Sequence, residues 1–161
     1  CKEYWLVMKD LLKNILDFLS KKNEFVYYNK LNVQIINQAF ISEIKNKMIY
    51  ENKYQLRICL HESDHEKVQS MVIFYRRGFT LDFIWQDQGI VQYNHIQGKG
   101  KITCRNYNGV ENEIISSATN PVIKLKASQT RKITPLSNFW VFSEIAEGPF
   151  KPENTKRLSY A

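Results

Sequence analysis

The chain has 161 residues, of which 43% are hydrophobic and 13% aromatic, enough for one packed domain and too apolar for a disordered chain. Its 23 lysines and arginines against 16 acids leave a net charge of +7. This points to an anionic partner (a phosphate-bearing small molecule, nucleic acid or a membrane surface), or else to a solvated basic surface. Cys1, Cys59 and Cys104 are odd in number and lack CxxC spacing, which speaks against a disulfide scaffold and a zinc ribbon.

Taken in chain order, the apolar residues first follow a helical period. Trp5, Met8, Leu12, Ile15 and Leu19 recur at steps of three and four and predict an amphipathic helix. Phe25–Tyr28 reads as a short strand or an extended linker. Ile36, Phe40, Ile44 and Met48 predict a second helix. Beyond Tyr54 the period changes to two. Leu56, Ile58 and Leu60 alternate with Arg57, Cys59 and His61, and Met71–Tyr75, Val91–Ile96 and Lys101–Arg105 follow as candidate strands. Asn106-Tyr-Asn-Gly109 reads as a hairpin turn, because Asn-Gly takes positive φ at little cost. Ile123, Leu125 and Ala127 alternate with lysines, and Phe139–Phe142 reads as a buried strand. Turn signals at Arg77-Gly78, Gln97-Gly98, Asn120-Pro121 and Gly148-Pro149 separate these runs. Many short strands with regular turns predict a sandwich or barrel. No apolar run reaches the ~18 residues of a membrane-crossing helix. The opening residues lack the layout of a signal peptide, and the free cysteines agree with a reducing compartment, so a cytoplasmic location is expected.

Two stretches carry a resemblance. In the first, an arginine-bearing strand leads to a histidine, an acidic turn and Val-Gln: Arg57, His61, Asp64 and Gln69 stand in that order. In the second, Glu144 precedes a Gly148-Pro149-Phe150 turn, with Thr155 and Ser159-Tyr-Ala161 closing the chain. Together they resemble the WbuC family of cupin-fold proteins. The likeness runs from Asn32 to Ala161, which leaves residues 1–31 as an N-terminal helix and linker extension. It implies a mainly β fold, a cupin-type β-barrel (double-stranded β-helix or jelly roll) with N-terminal α-helices, and an association with O-antigen or capsule polysaccharide synthesis. The cupin resemblance also raises the expectation of a homodimer.

The middle of the chain departs from the cupin pattern. Cupins commonly bear a glycine, a His-x-His pair, a glutamate, a second glycine and a later histidine, which hold a metal. Counting from Gly78 and Gly98, those positions fall at Ile84, Gln86, Val91 and Arg131. Shifted registers offer Trp85, Asp87, Gln92 or Lys132, and none yields a His-x-His pair. An isoleucine has no ligating atom and an arginine is a permanent cation. No metal and no cofactor are therefore expected at this site.

The candidate site residues each carry two readings. Arg131, if it points inward, places a guanidinium where the metal would sit and holds a carboxylate or phosphate bidentately; otherwise it belongs to the basic stretch Thr130–Lys132. His61 lines the barrel mouth by family position, or is a structural histidine bonded to backbone; with His65 it forms a metal pair only if that stretch is helical. Tyr93 and His95 share one face of a strand by alternation and could serve as acid and base in a pocket, unless Ile96 faces the core and His95 the solvent. Arg57 and Glu144 are read as an inward ion pair shaping a polar cavity. Gln69 bonds either backbone or ligand, and Gln86 is placed with the ligand. Trp85 is expected on a mouth loop, where it stacks on a sugar or base, or anchors the core. The first helix packs on the barrel, mediates a dimer, or lies on a membrane surface. No dinucleotide, P-loop, nucleophile-elbow, zinc-protease or nucleic-acid motif is found.

Two functions remain open. One is a metal-free barrel that binds a small anionic or sugar-nucleotide ligand, with isomerase or epimerase chemistry as its enzymatic form. The other is a non-catalytic regulatory or interaction module. Convergent His, Tyr and Arg side chains around an open cavity favour the first.

Overall fold

A computed structural model describes residues 17–31, 34–87 and 89–158. Twelve strands and one α-helix lie in these segments. Strands β1 (Leu19–Lys21), β2 (Val26–Asn29), β3 (Gln55–Cys59) and β4 (Val68–Arg76) are followed by β5 (Leu81–Gln86), β6 (Ile90–Gln97), β7 (Gly100–Arg105) and β8 (Glu111–Ser116). Then come β9 (Val122–Lys126), β10 (Thr130–Pro135), β11 (Phe139–Glu147) and β12 (Thr155–Arg157). Helix α1 spans Gln38–Tyr50, between β2 and β3.

The strands form a seven-stranded sheet, ordered β1-β2-β3-β4-β11-β6-β9, and a five-stranded sheet, ordered β12-β5-β10-β7-β8. Every pairing is antiparallel except β2 with β3. The period-two pattern places successive side chains on opposite faces. On β4, Val72 and Phe74 face outward to α1, while Ile73 and Tyr75 face the other sheet. On β11, Val141 faces α1, and Trp140 and Phe142 face inward. Two cores result. One lies between the sheets, built on Ile73, Tyr75, Tyr93, Ile133, Trp140 and Phe142. The other lies between α1 and the outer face of the large sheet, where Phe40, Ile41, Ile44 and Met48 cover Leu56, Ile58 and Val72.

Several local features fix this arrangement. Asn37 caps α1, its side-chain oxygen accepting from the Phe40 N–H at 2.9 Å. Gly109, at φ +83°, closes the β7–β8 hairpin. A Cβ at Gly100 would stand 2.0 Å from the Trp140 ring, so only glycine lets β7 pass beneath that indole.

Three expectations are corrected here. Leu19 does not end a helix. It opens β1, which pairs with β2 as a hairpin, because Lys22 and Asn23 turn the chain onto the Val26 carbonyl. The rest of the predicted first helix, from Trp5 to Ile15, lies outside the described residues. Leu60 falls past the end of β3. Trp85 is on no mouth loop: it sits within β5, paired with Lys156 of β12. Strands β1 and β2 also show that residues 19–29 are part of the large sheet.

Candidate functional site

The space between the sheets is filled by aromatic rings at one end and is open at the other. A cavity of about 270 Å³ occupies the open end. Its polar wall comes from Arg57 on β3, Gln69 on β4, Gln86 on β5, Arg131 on β10 and Glu144 on β11. The C-terminal segment crosses its mouth and adds Phe150, Lys151 and Arg157.

Arg131 is the central group. Alternation along β10 buries Arg131, Ile133 and Pro135 and turns Lys132 outward. The Arg131 side chain is 1% exposed. Its Nε donates to the Tyr93 hydroxyl at 2.8 Å, its Nη1 to the Ala127 carbonyl at 3.0 Å, and its Nη2 to Gln86 Oε1 at 3.4 Å. Burial works against its charge, but Tyr93 and Glu144 outweigh that cost and its pKa moves upward. The guanidinium is thus a fixed buried cation.

Arg57 is the second inward cation. Its Nη2 donates to the Tyr75 hydroxyl at 3.2 Å, and its Nε is buried with no partner. Tyr75 raises its pKa first, against desolvation, and Glu144 adds to the rise. Arg57 and Glu144 face one cavity but form no ion pair, contrary to the sequence reading; the Arg57 fork turns to Tyr75 instead. Across the cavity the charges are four cations (Arg57, Arg131, Lys151 and Arg157) and two carboxylates (Glu144 and Glu147). The wall therefore presents excess positive charge, a donor without an acceptor, and a carboxylate without a donor. A ligand with an anionic group and hydroxyls would satisfy all three.

The remaining expected site residues divide. Gln86 lines the cavity and accepts from Arg131. Gln69 also lines it, while its amide donates to the Glu66 carbonyl at 2.9 Å and the Ser63 carbonyl at 3.3 Å. Tyr93 is a fully buried floor residue that meets the cavity through Arg131; burial, and then Glu144, raises its pKa. His61 stands away from the cavity lining, with its Nδ1 2.8 Å from the Ser70 carbonyl and 3.1 Å from the Ser70 N–H. His95 is half-buried, outside the lining, with its Nδ1 unpartnered and its pKa lowered by burial. Trp85 lies on β5 beside Gln86 and, by alternation, on the opposite face. Lys151 and Arg157 were not anticipated, since cations in a proline-bearing tail read as ordinary surface charge.

These residues do not fit the cupin metal. The inward positions carry Ile84, Gln86 and Arg131, and no histidine reaches the lining. Among the described residues, no three His, Cys, Asp or Glu side chains gather to hold an ion.

No family model matches the chain, and no curated protein matches it. Solved structures do. Oxalate decarboxylase of Lactobacillus farciminis, solved with formate, shares 14% identity over 58% of this chain and 27% of that one, with a TM-score of 0.50. A structural-genomics protein of Shewanella oneidensis shares 11% identity over 64% of this chain and 73% of that one, with a TM-score of 0.57. The capsular polysaccharide assembling protein CapF of Staphylococcus aureus shares 22% identity over 60% of this chain and 27% of that one, with a TM-score of 0.53. This chain thus spans about a quarter of the length of the oxalate decarboxylase and of CapF. At these identities the likeness speaks to architecture, and that architecture is clear: the chain has the cupin fold.

Proposed function

We propose that the barrel cavity binds a small anionic or sugar-nucleotide ligand without a metal, in the synthesis of surface polysaccharide. The observation that carries this reading is the pair of inward arginines, Arg57 and Arg131, around a cavity that also holds an unpartnered carboxylate. A buried guanidinium with an unused donor costs stability unless an acceptor arrives. The pathway assignment draws on the WbuC-like motifs, Arg57–Gln69 and Glu144–Phe150, and on the likeness to CapF, a capsular polysaccharide assembling protein.

The same lining favours binding over chemistry. His61, His95 and Tyr93 were the acid and base candidates, and none of them lines the cavity. An isomerase or epimerase working here would draw its base from Glu144. The non-catalytic module is therefore the second reading.

The test is calorimetric titration with hexose 1-phosphates and sugar nucleotides, on the native chain and on Arg57→Gln and Arg131→Lys variants whose fold is checked by circular dichroism. Saturable binding is expected in the native chain. Each folded variant should lose about tenfold or more in affinity. Absence of binding by every anion, or equal binding by the variants, would sink the proposal.

A further inference from the structure

A second concavity, of about 340 Å³, adjoins the barrel cavity. The two share Arg57, Leu81 and Arg157 in their walls. Arg57 comes from β3 in the large sheet and Arg157 from β12 in the small one, so the seam between the lobes is bounded by two arginines. The inner lobe is the polar cavity described above. The outer lobe has different chemistry. Phe25 and Phe79 supply flat apolar surface, and Asn23, Gln55 and Asp82 supply hydrogen-bonding edges.

The outer lobe is held in place. The Phe25 N–H donates to the Asn23 side-chain oxygen at 2.9 Å, and the Phe25 carbonyl accepts from the Arg57 N–H at 2.8 Å. Phe25 is thereby held next to Arg57, yet the residue is 42% exposed. Phe79 packs on Tyr75 at a tilt of 38° with ring centroids 4.3 Å apart, and Tyr75 in turn accepts from Arg57. Among the described residues the Arg157 side chain has no hydrogen-bond or ionic partner. The buried Arg57 Nε has none either.

We infer that these lobes form one bipartite site for a nucleoside diphosphate sugar. The sugar enters the inner lobe, the diphosphate lies at the seam between Arg57 and Arg157, and the base rests in the outer lobe against Phe25. The inference rests on the proposed barrel function and specifies its ligand class. Arginine forks match phosphate oxygens bidentately. An exposed aromatic ring beside polar edges suits a base, which stacks on its face and is read along its rim. Glu144, Gln69 and Gln86 provide acceptors and donors for sugar hydroxyls. The combined volume falls in the ~300–1,000 Å³ range of organic-ligand sites, which accommodates a two-part ligand.

The deciding experiment is calorimetric titration of the full chain with UDP-glucose, GDP-mannose and dTDP-glucose, each beside its own hexose 1-phosphate. Phe25→Ala and Arg157→Gln variants are titrated in parallel; both side chains are exposed, and circular dichroism checks the fold. At least one nucleotide sugar is expected to bind about tenfold or more tightly than its hexose 1-phosphate. Phe25→Ala should erase that advantage and leave the hexose 1-phosphate unchanged, and Arg157→Gln should weaken the nucleotide sugar by about tenfold. If every hexose 1-phosphate binds as tightly as its nucleotide sugar, the outer lobe has no role and the two-lobed site is overturned, while the barrel reading stands. A Phe25→Ala loss that is equal for both ligands also overturns it. If no compound of either kind binds, the barrel reading itself has failed.

Discussion

A single arginine at an inward strand position is the most deeply buried charge of the cavity wall. Arg131 faces Ile84 across the β5–β10 ladder, and these are the two residues that counting from the glycines matches to cupin metal-ligand positions. Both positions reached by counting from the glycines line the cavity. The orientation of Arg131 was not legible: within Thr-Arg-Lys-Ile-Thr-Pro an inward and an outward cation look alike, and only the buried Ile133 and Pro135 reveal the phase. Glu144 lines the cavity, but the absence of its pairing with Arg57 was not legible, because the Tyr75 hydroxyl that takes Arg57 comes from a neighbouring strand. In the proposed complex Glu144 accepts from sugar hydroxyls, and a hydrogen bond to a charged group contributes about 1.5–3 kcal/mol. Glu144→Gln should therefore lower affinity for a hexose 1-phosphate by about tenfold. Titration of the two proteins under the same buffer conditions checks this, and an unchanged or higher affinity would show that the carboxylate chiefly opposes the bound anion.

At the scale of elements, alternation found the strands it could find. Strands β4, β6, β7, β9 and β11 carry apolar side chains at regular inward positions, and α1 carries a helical stripe; all six are visible in the sequence. Strands β5, β8, β10 and β12 were missed. Polar residues interrupt the apolar pattern in each, since β8 and β12 are sheet edges and β5 and β10 bear the cavity wall. Edges and sites break the binary pattern for physical reasons: one meets water and the other meets ligand. Helix α1 offers the cleanest energetic test, because its buried side chains pack on Leu56, Ile58 and Val72, which are not cavity-lining residues. Ile44 is fully buried within that layer. Ile44→Ala should cost about 2–4 kcal/mol of stability, and Asn37→Ala about 1 kcal/mol through the lost cap. Urea unfolding measures both. Ligand affinity should remain native in each folded variant, so a loss of binding would show that the outer layer shapes the barrel.

On the scale of the whole molecule, three distant segments meet at one carboxylate. Asp64, in the β3–β4 loop, is paired with Lys22 of the β1–β2 hairpin and accepts from the Tyr28 hydroxyl at 2.6 Å. Its backbone carbonyl accepts from the Phe150 N–H at 2.8 Å, and Lys22 also lies 5.7 Å over the Phe150 ring. The hairpin, the loop and the tail that crosses the cavity mouth are thus tied together. Burial would raise the Asp64 pKa, but the hydrogen bonds from Lys22 and Tyr28 outweigh it, and the value falls below the ordinary 3.8. A carboxylate depressed in the folded state binds its proton more readily in the unfolded chain. Its stabilising contribution is therefore complete above the ordinary value and is lost as pH falls through the lowered one. Side chains a third exposed keep the magnitude small, at about 1 kcal/mol or less. Asp64→Asn should accordingly be less stable than the native chain at pH 7, with the gap closing below about pH 4. Urea unfolding of both proteins across that range reads the difference. A gap that persists unchanged into acid would mean that the tie rests on the backbone contact to Phe150 and not on the charge of Asp64.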